Sequence, residues 1–288
     1  VELLQESLGA EMLEAFLRAD NEITPTILHA NPLRADAQRV YDELTEQGVT
    51  LTPHPWMPDC WLAQGTGNLE RLDAFREGRV YVQDPAAHLA AMAAGVQPGM
   101  TVLDACAAPG GKSFAAAMQM KNEGRVTSCD IHPHKLSLIE KGAARLGIDI
   151  VRPALQNAAE RSEIFLENMD VVIADVPCSG LGVIRKKPDI RYKDLAPLEK
   201  LPALQSAILE NVSAYLKPGG VLLYSTCTVL RRENEAVCEA FLRAHPEFSQ
   251  EAFPVPAKAG LENHGMLTLY PCIHDTDGFF ICKMRKQA

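Results

Sequence analysis

The fold is decided by the stretch Thr101-Val-Leu-Asp-Ala-Cys-Ala-Ala-Pro-Gly-Gly-Lys-Ser113. A short apolar run leads into two glycines, and a helical pattern begins at Lys112. Glycines between a strand and a helix let the backbone approach a ligand closely. The spacing matches neither GxGxxG nor the GxxxxGK[ST] phosphate loop. The stretch therefore predicts a strand, a nucleoside-binding loop and a helix in succession, with a tight structural turn as the alternative to a binding loop.

Short apolar strands alternate with helical patterns on the carboxyl side of this stretch. Continuous apolar strands in such an alternation predict an α/β fold, with a mostly parallel sheet and helices on both faces. The predicted strands are Thr101–Cys106, Arg125–Asp130, Val151–Leu155, Asp170–Ala174 and Gly220–Ser225, and the predicted helices are Lys112–Met120, Pro133–Leu146, Leu198–Leu216 and Arg232–Ala244. Met266–Tyr270 and Gly278–Met284 predict a final β-hairpin. Ligands of such sheets bind at the carboxyl ends of the strands.

The N-terminal part of the chain has a different texture. Residues 1–76 predict a small α+β domain, and residues 77–288 form the larger domain. The small domain is expected to contain helices at Leu8–Leu17 and Ala35–Gln47 and short strands at Thr26–Ala30 and Cys60–Leu62.

Composition excludes several classes of protein. Hydrophobic residues make up 47% and charged residues 23% of the 288 residues, as in ordinary globular proteins. No apolar run reaches the ~20 residues that a membrane span needs, and the acidic N-terminus is not a secretory signal. The eight cysteines show neither CxxC nor zinc spacing. We therefore expect reduced thiols, no metal, no membrane contact, a cytoplasmic location and a monomer.

The net charge of −9 counts against a simple nucleic-acid-binding module. Nucleic-acid binding needs only a local basic patch, however. Arg185, Lys186, Lys187 and Arg191 supply one, and we predict that these residues contact RNA. A solvated charged loop is the alternative interpretation of this cluster.

Polar residues at two further strand ends favour a nucleoside cofactor. Asp130 ends the second predicted strand, roughly 20 residues beyond the glycine loop, where an acid can accept hydrogen bonds from ribose hydroxyls. Asn157 follows the third strand and is expected near the adenine. A helix-capping Asp and an ordinary loop Asn are the alternatives.

Two cysteines and an acid end the fourth and fifth predicted strands. The fourth leads into Asp175-Val-Pro-Cys178, and the fifth leads into Thr226-Cys227. Neighbouring strands lie about 5 Å apart, so both thiols are expected in one cleft beside Asp175. Methylation of cytosine at C5 needs such a set, because a thiolate must first add to C6 to make C5 nucleophilic. A buried structural role for each cysteine is the alternative.

The motifs resemble those of the NOL1/NOP2/Sun family of RNA cytosine-C5 methyltransferases. The resemblance rests on Asp104–Lys112, Asp175–Gly180 and Ser225–Cys227. Within the family, the bacterial 16S rRNA branch of the RsmB, Sun or Fmu type is most similar, on the segments Gly182–Tyr192, Asp277–Phe280, Glu70–Ala87 (which contains Tyr81–Pro85) and Asn21–Asn31.

The resemblance implies a Rossmann-like class I methyltransferase fold, S-adenosylmethionine as the cofactor and ribosomal RNA as the partner. By position, Cys227 would be the nucleophile, Cys178 would assist product release, and Asp175 would hold the base at N3 and border the cofactor. The cofactor would be lined by Cys106, Ala107, Ala108, Pro109, Gly110, Gly111 and Lys112, with Asp130 on the ribose. The family usually has an acid where this chain has Asn157. A NusB-like RNA-binding domain usually precedes the catalytic unit, and because the sequence begins with Val we expect that an upstream segment is missing from it.

Three alternatives stay open from the sequence. The same chemistry can act on transfer RNA or 23S rRNA. A DNA cytosine methyltransferase would use the cysteine of the Pro-Cys motif, Cys178, as its nucleophile. A non-catalytic ribosome-assembly factor would keep the cofactor pocket, although it has no need of two thiols in one cleft.

Overall fold

A small antiparallel sheet forms the N-terminal part of the computed structural model, which describes residues 1–194 and 196–288. Its elements are α1 (Glu2–Ala19), β1 (Thr26–Ala30), α2 (Ala37–Glu46), β2 (Thr50–Pro53), β3 (Cys60–Gln64), α3 (Asp73–Arg76) and β4 (Val80–Val82). The strand order is β2-β3-β1-β4. The small sheet therefore extends beyond the predicted boundary at residue 76. The sequence prediction missed β4, because a strand of three residues is too short to show a pattern.

Helix α2 covers the small sheet. Asp36 caps its first turn by accepting hydrogen bonds from the backbone N–H groups of Gln38 and Arg39. Val40 and Leu44 are fully buried in a cluster with Leu28, Trp61 and Val80 from the strands. The helix ends just before Gly48, as the sequence predicted, and Gly48 has a positive φ of 84°.

Helix α1 is longer than the sequence predicted, and it packs against the larger domain rather than against the small sheet. It starts at Glu2, is interrupted at Gly9, where φ is 73°, and continues to Ala19. Its apolar side chains, Leu4, Leu13 and Phe16, pack against Val229 and Leu230 of the larger domain. Helix α1 thus packs against loops of the larger domain.

The larger part is an α/β unit around one eight-stranded sheet. Its elements are α4 (Pro85–Ala93), β5 (Thr101–Asp104), α5 (Gly111–Gln119), β6 (Arg125–Asp130), α6 (Pro133–Leu146), β7 (Val151–Leu155), β8 (Met169–Asp175), α7 (Leu201–Ser213), β9 (Leu216–Thr226), α8 (Glu235–Ala244), β10 (Phe248–Gln250), β11 (Met266–Leu269), α9 (Pro271–His274) and β12 (Phe279–Lys286). The strand order is β10-β12-β9-β8-β5-β6-β7, and β11 pairs with β12. Strands β5 to β9 run parallel, and β12 adds antiparallel to β9.

Alternate residues of the central strands face two helical layers. Val102 and Ile173 are buried in a cluster with residues of α4, α5 and α6, whereas Leu103 and Val172 are buried in a cluster with residues of α7 and α8. Burial of each such side chain contributes about 1.5–3 kcal/mol. Helices on both faces of a mostly parallel sheet confirm the predicted fold class.

The predicted secondary structure differs from the structure mainly at helix ends. Helix α7 begins at Leu201 rather than Leu198, and Pro202 occupies its first turn, where a fixed φ is favourable. The predicted hairpin is confirmed by the antiparallel pairing of β11 with β12. The sequence did not show that β12 also joins the main sheet. No helix within residues 1–194 and 196–288 has the length and apolar character to cross a membrane.

Candidate active site

The carboxyl ends of β5, β6, β8 and β9 meet at one edge of the sheet. Strand β5 is followed by Ala105, and strand β9 is followed by Cys227. Asp130 and Asp175 are the last residues of β6 and β8. Asp175 pairs in register with Ser225, and Asp104 pairs with Ser128. Because parallel strands end at the same edge, residues from distant parts of the chain come together here.

A pair of thiols lies at this edge. The Sγ atoms of Cys178 and Cys227 are 3.1 Å apart, and both cysteines are free. The hydrogen bond from Cys178 lowers the pKa of Cys227; Lys112 and Lys187 act in the same direction, against burial and the charge of Asp175. The same hydrogen bond, together with burial, raises the pKa of Cys178 well above its ordinary value. The pair is therefore asymmetric, with Cys227 as the more easily formed thiolate.

The loop that carries Cys178 is held by residues that the sequence analysis missed. Glu233, which is fully buried, accepts a hydrogen bond of 2.9 Å from the backbone N–H of Ser179. Gln205 donates to the same carboxylate oxygen at 2.9 Å and to the Pro177 carbonyl at 3.0 Å. These contacts fix the turn after β8. No sequence motif joins Gln205 and Glu233 to the cysteine, so only the fold reveals their role.

Asp175 is oriented by two hydrogen bonds. Lys112 Nζ donates to Oδ2 at 2.7 Å, and Ser225 Oγ donates to Oδ1 at 2.8 Å. The Lys112 side chain is 9% exposed, and its ammonium lies 4.9 Å from the centre of the Phe279 ring. The lysine predicted to line the cofactor thus also fixes the acid that borders the cysteine pair.

The glycine loop is a tight turn in which neighbouring protein side chains leave little room for a Cβ atom. Gly110 has a φ of 114°, and a Cβ atom there would lie 2.3 Å from the Phe114 ring. At Gly111 a Cβ would lie 3.2 Å from Gln83 Nε2. The loop turns tightly, since the backbone N–H of Gly110 donates to the Ala107 carbonyl at 2.7 Å. Both glycine positions are therefore constrained, and the turn leads directly into α5.

A buried carboxylate lies beneath this loop. Asp104 is 1% exposed and accepts a hydrogen bond of 2.7 Å from Ser113 Oγ, which in turn accepts one of 2.7 Å from Ser128 Oγ. Its other oxygen, Oδ1, has no partner within the described residues. Burial raises the pKa of Asp104 to about 7, although the Ser113 hydrogen bond opposes the shift.

Asp130 and Asn157 differ in what they offer to a nucleoside. Asp130 Oδ1 accepts a hydrogen bond of 2.9 Å from the His132 backbone, while no donor to Oδ2 is present among the residues described. A carboxylate oxygen beside the glycine loop fits the ribose hydroxyls of S-adenosylmethionine. Asn157 instead uses its side chain within its own loop, at 3.1 Å from the Ala159 N–H and 2.9 Å from Glu160. Its contact with the adenine stays a prediction.

The basic cluster is only partly a solvent-facing patch. Lys186 Nζ lies 2.6 Å from Asp84 and 2.9 Å from Asp277, and Arg185 lies 3.5 Å from Asp277. These carboxylates are nearly buried and neutralise both cations, of which Arg185 is largely buried and Lys186 reaches the surface with 29% of its side chain exposed. The sequence showed four basic residues but not that acids from remote motifs pair with two of them.

The other two members of the cluster lie closer to solvent. Lys187 is exposed and makes no ion pair within the described part of the chain, and Arg191 donates a hydrogen bond of 2.7 Å to the Asp20 carbonyl. RNA contact by this cluster stays a prediction.

A second concentration of positive charge escaped the sequence analysis. Five arginines and one acid, Glu77, line a cavity of about 520 Å³ between α2, α3 and α6: Arg34, Arg39, Arg76, Arg79 and Arg145. Two of the five are ion-paired, Arg76 with Asp73 and Arg79 with Glu43 and Glu77. The arginines are dispersed along the chain, so no local run signals them.

In the described residues, no group of three or more His, Cys, Asp or Glu side chains has a geometry that would hold a metal ion.

Comparisons with known proteins identify the family of the chain. The family described as 16S rRNA methyltransferase RsmB/F matches residues 91–285, and the RsmF/B-like ferredoxin-like domain matches residues 1–68. The probable ribosomal RNA small subunit methyltransferase B of Bacillus subtilis is 38% identical over 291 residues, which cover 98% of this chain and 64% of that protein. The chain thus spans slightly less than two thirds of this relative's length.

Solved structures show the same architecture. The crystal structure of PH0851 superposes with a TM-score of 0.91 at 34% identity, covering 99% of this chain and 65% of the other. A methyltransferase homologue from Pyrococcus horikoshii gives a TM-score of 0.80 at 26% identity, covering 99% and 98% of the two chains. These matches confirm the class I methyltransferase fold and the resemblance predicted from the motifs, and S-adenosylmethionine is accordingly the cofactor. The chain belongs to the RsmB/F family of 16S rRNA methyltransferases.

Proposed function

We propose that this protein transfers a methyl group from S-adenosylmethionine to C5 of a cytosine in 16S rRNA, through a covalent bond between Cys227 and C6. The observation that carries the proposal is the 3.1 Å thiol pair beside Asp175, at the strand edge that also holds the glycine loop. The name of the family and that of the Bacillus subtilis relative support ribosomal RNA as the substrate.

Cys227 acts as the nucleophile. The thiolate is the attacking form of a cysteine, and the hydrogen bond from Cys178 together with the charge of Lys112 favours that form. The sulfur adds to C6, and the C5–C6 electron pair shifts so that C5 becomes nucleophilic. The addition places negative charge on N3 of the ring, and Asp175, held by Lys112 and Ser225, carries the proton that it donates to N3 as the charge develops. S-adenosylmethionine, when bound, supplies the electrophilic methyl group.

Cys178 acts at the release of the product. After methylation, a base removes the C5 proton, the C5–C6 double bond forms again, and the C6–S bond breaks. The departing sulfur of Cys227 carries negative charge, and the Cys178 thiol lies 3.1 Å from it. Because the pKa of Cys178 is raised, its thiol keeps its proton and can donate a hydrogen bond to the leaving thiolate.

Mapping of 5-methylcytosine tests the proposal. Ribosomal and transfer RNA from cells lacking the protein should be compared with RNA from cells that regain the wild-type or the Cys227→Ser protein. We expect one cytosine of 16S rRNA to lose its methyl group and to recover it only with the wild type. Loss at a transfer RNA or 23S rRNA site would overturn the substrate assignment. An unchanged map in every RNA would overturn the chemistry and favour a non-catalytic assembly factor.

A further inference from the structure

Helices form the accessible side of the small domain, because both faces of its sheet are packed. Leu28 and Val80 pack beneath α2 on one face. Ile27 and Tyr81 pack with residues of α4 on the other face. Contacts of this domain with a large ligand must therefore be made by its helices and by the end of α6 that adjoins them.

The cavity of about 520 Å³ between α2, α3 and α6 lies on this helical side. Of its five arginines, Arg76 and Arg79 form ion pairs with carboxylates, whereas Arg34, Arg39 and Arg145 form none within the described residues. The whole chain carries a net charge of −9, so three guanidinium groups without a counter-charge at one site are a local exception. Such a site attracts an anion.

Arg145 is held so that part of its guanidinium fork stays free. Its Nη1 donates to the carbonyls of Phe75 at 2.6 Å and of Val80 at 3.0 Å, and its guanidinium lies 4.0 Å from the centre of the Phe75 ring. Nε and Nη2 make no hydrogen bond in the described part of the chain, and both reach the surface. Burial lowers the pKa of Arg145, and no carboxylate opposes that shift. An anion here would supply the counter-charge that this half-buried cation lacks.

Arg34 and Arg39 offer two further forks. Arg34 Nε donates to the Leu146 carbonyl at 3.3 Å, and its guanidinium is so close to Gly147 that a Cβ there would lie 2.4 Å from Cζ. Arg39 is exposed in the first turn of α2, and its side chain has no hydrogen bond or ion pair among the residues described. Phosphate groups match such planar forks, because each fork can donate two parallel hydrogen bonds to phosphate oxygens.

Helix α6 connects this cavity to the active site. Its 14 residues begin at Pro133, just after Asp130 at the strand edge, and end at Leu146 beside the arginines. The helix therefore rises by roughly 21 Å between the two places. Lys141 is exposed one turn before Arg145 and so lies on the same face of the helix. A polyanion that leaves the active site along α6 would pass Lys141 and then reach the cavity.

We propose that this cavity binds backbone phosphates of the substrate RNA, roughly 20 Å from the cytosine that is methylated. The inference rests on RNA being the substrate. RNA suits the site better than an acidic protein does, because its phosphates repeat along one strand and can occupy the cavity while a base is in the active site. The contact supplies affinity and register without reading the base sequence.

Filter binding of a labelled 16S rRNA transcript over a salt series tests this inference on the whole chain. Arg39→Gln and Arg34→Gln should each reduce the slope of log affinity against log salt concentration by about 0.7–0.9, and should weaken binding about fivefold near 0.1 M salt. Arg243→Gln removes the same charge from an exposed position on α8, in the opposite helical layer, and should bind as the wild type does. A thermal melt of each variant checks folding.

Arg39→Gln decides the outcome, because its side chain makes no contact that folding would miss. If its salt slope and affinity equal those of Arg243→Gln, the phosphate assignment is wrong. A labelled polyglutamate peptide is the second probe. Peptide binding that is lost in Arg39→Gln, with RNA binding unchanged, would make an acidic protein the partner and overturn the inference.

Lys187→Ala in the same salt series separates this inference from the proposed function. A reduced slope with Lys187→Ala but not with Arg39→Gln would keep RNA at the active site and overturn the arginine cavity alone. A reduced slope with Arg39→Gln, in a protein that methylates no cytosine of 16S rRNA, would leave the inference standing and overturn the proposed function.

Discussion

Replacement of Asp104 by asparagine is expected to change how the stability of the protein depends on pH. The carboxyl group has an ordinary pKa of 3.8 in the unfolded chain and a pKa of about 7 in the folded protein, because it is buried beneath the glycine loop. The folded state therefore holds this proton more tightly than the unfolded state does. Its contribution to stability is present in full below pH 3.8 and is lost as pH rises toward 7.

The size of the effect follows from the shift. Each pKa unit corresponds to about 1.4 kcal/mol, so between pH 5 and pH 8 the wild type should lose roughly 3 kcal/mol of unfolding free energy through Asp104 alone. The amide side chain of the variant carries no titratable proton, and its hydrogen bond with Ser113 can be kept. The difference in unfolding free energy between Asp104→Asn and wild type should therefore move by about 3 kcal/mol in favour of the variant over this range.

Urea denaturation followed by circular dichroism at pH 5, 6, 7 and 8 measures this difference. Asp42→Asn, which changes an exposed acid on α2, serves as the matched control and should give a difference that is flat with pH. If the curves of wild type and Asp104→Asn stay parallel from pH 5 to 8, the burial argument for Asp104 is wrong.

Two further predictions concern binding. Asp130→Ala should weaken the affinity for S-adenosylmethionine by about 1–3 kcal/mol, through loss of hydrogen bonds to a charged group; an unchanged calorimetric Kd would remove Asp130 from the ribose. Lys187→Ala should lower RNA affinity and reduce the slope of log affinity against log salt concentration by about one unit. Lys186→Ala should instead chiefly lower the free energy of unfolding, by about 1–3 kcal/mol, because Asp84 and Asp277 lose their shared cation. If filter binding over a salt series gives the same slope for Lys187→Ala and wild type, RNA docks elsewhere.

The sequence predicted the parts of the site that depend on strand ends. Apolar runs in β8 and β9 are easy to recognise, and parallel neighbours must end at the same edge. This reasoning predicted that Asp175, Cys178 and Cys227 lie in one cleft, and in the structure the three residues lie together at the same strand edge. It also placed the glycine loop beside Asp130, since β5 and β6 are neighbours.

The sequence did not show which partners the polar side chains take. Lys186 is part of a basic run, but Asp84 and Asp277, which neutralise it, lie 102 and 91 residues away. Glu233 is fully buried beneath the Cys178 loop, which contradicts the usual preference of Glu for the surface. Such pairings are set by tertiary packing rather than by local pattern. For the same reason the packing of α1 against Val229 and Leu230 could not be predicted.

The two cysteines are expected to differ in what their replacement by serine does. Cys178→Ser leaves Cys227 free to attack C6. A hydroxyl is a weaker acid than a thiol, however, and stabilises the departing thiolate less, so release should be slow and a protein–RNA adduct should accumulate. Cys227→Ser should lose nearly all turnover and form no adduct, because a hydroxyl at neutral pH is a far weaker nucleophile. Cys272→Ser, a half-buried thiol outside the site, serves as the control and should behave as the wild type does.

The most direct measurement is one denaturing gel of these variants with labelled RNA and S-adenosylmethionine, beside a thermal melt of each protein. We expect a shifted RNA band with Cys178→Ser and none with Cys227→Ser. A shifted band with Cys227→Ser and none with Cys178→Ser would exchange the two roles and favour the scheme of the DNA enzymes. Absence of a band in both variants, together with lowered melting temperatures, would contradict covalent catalysis and leave the cysteines as structural residues.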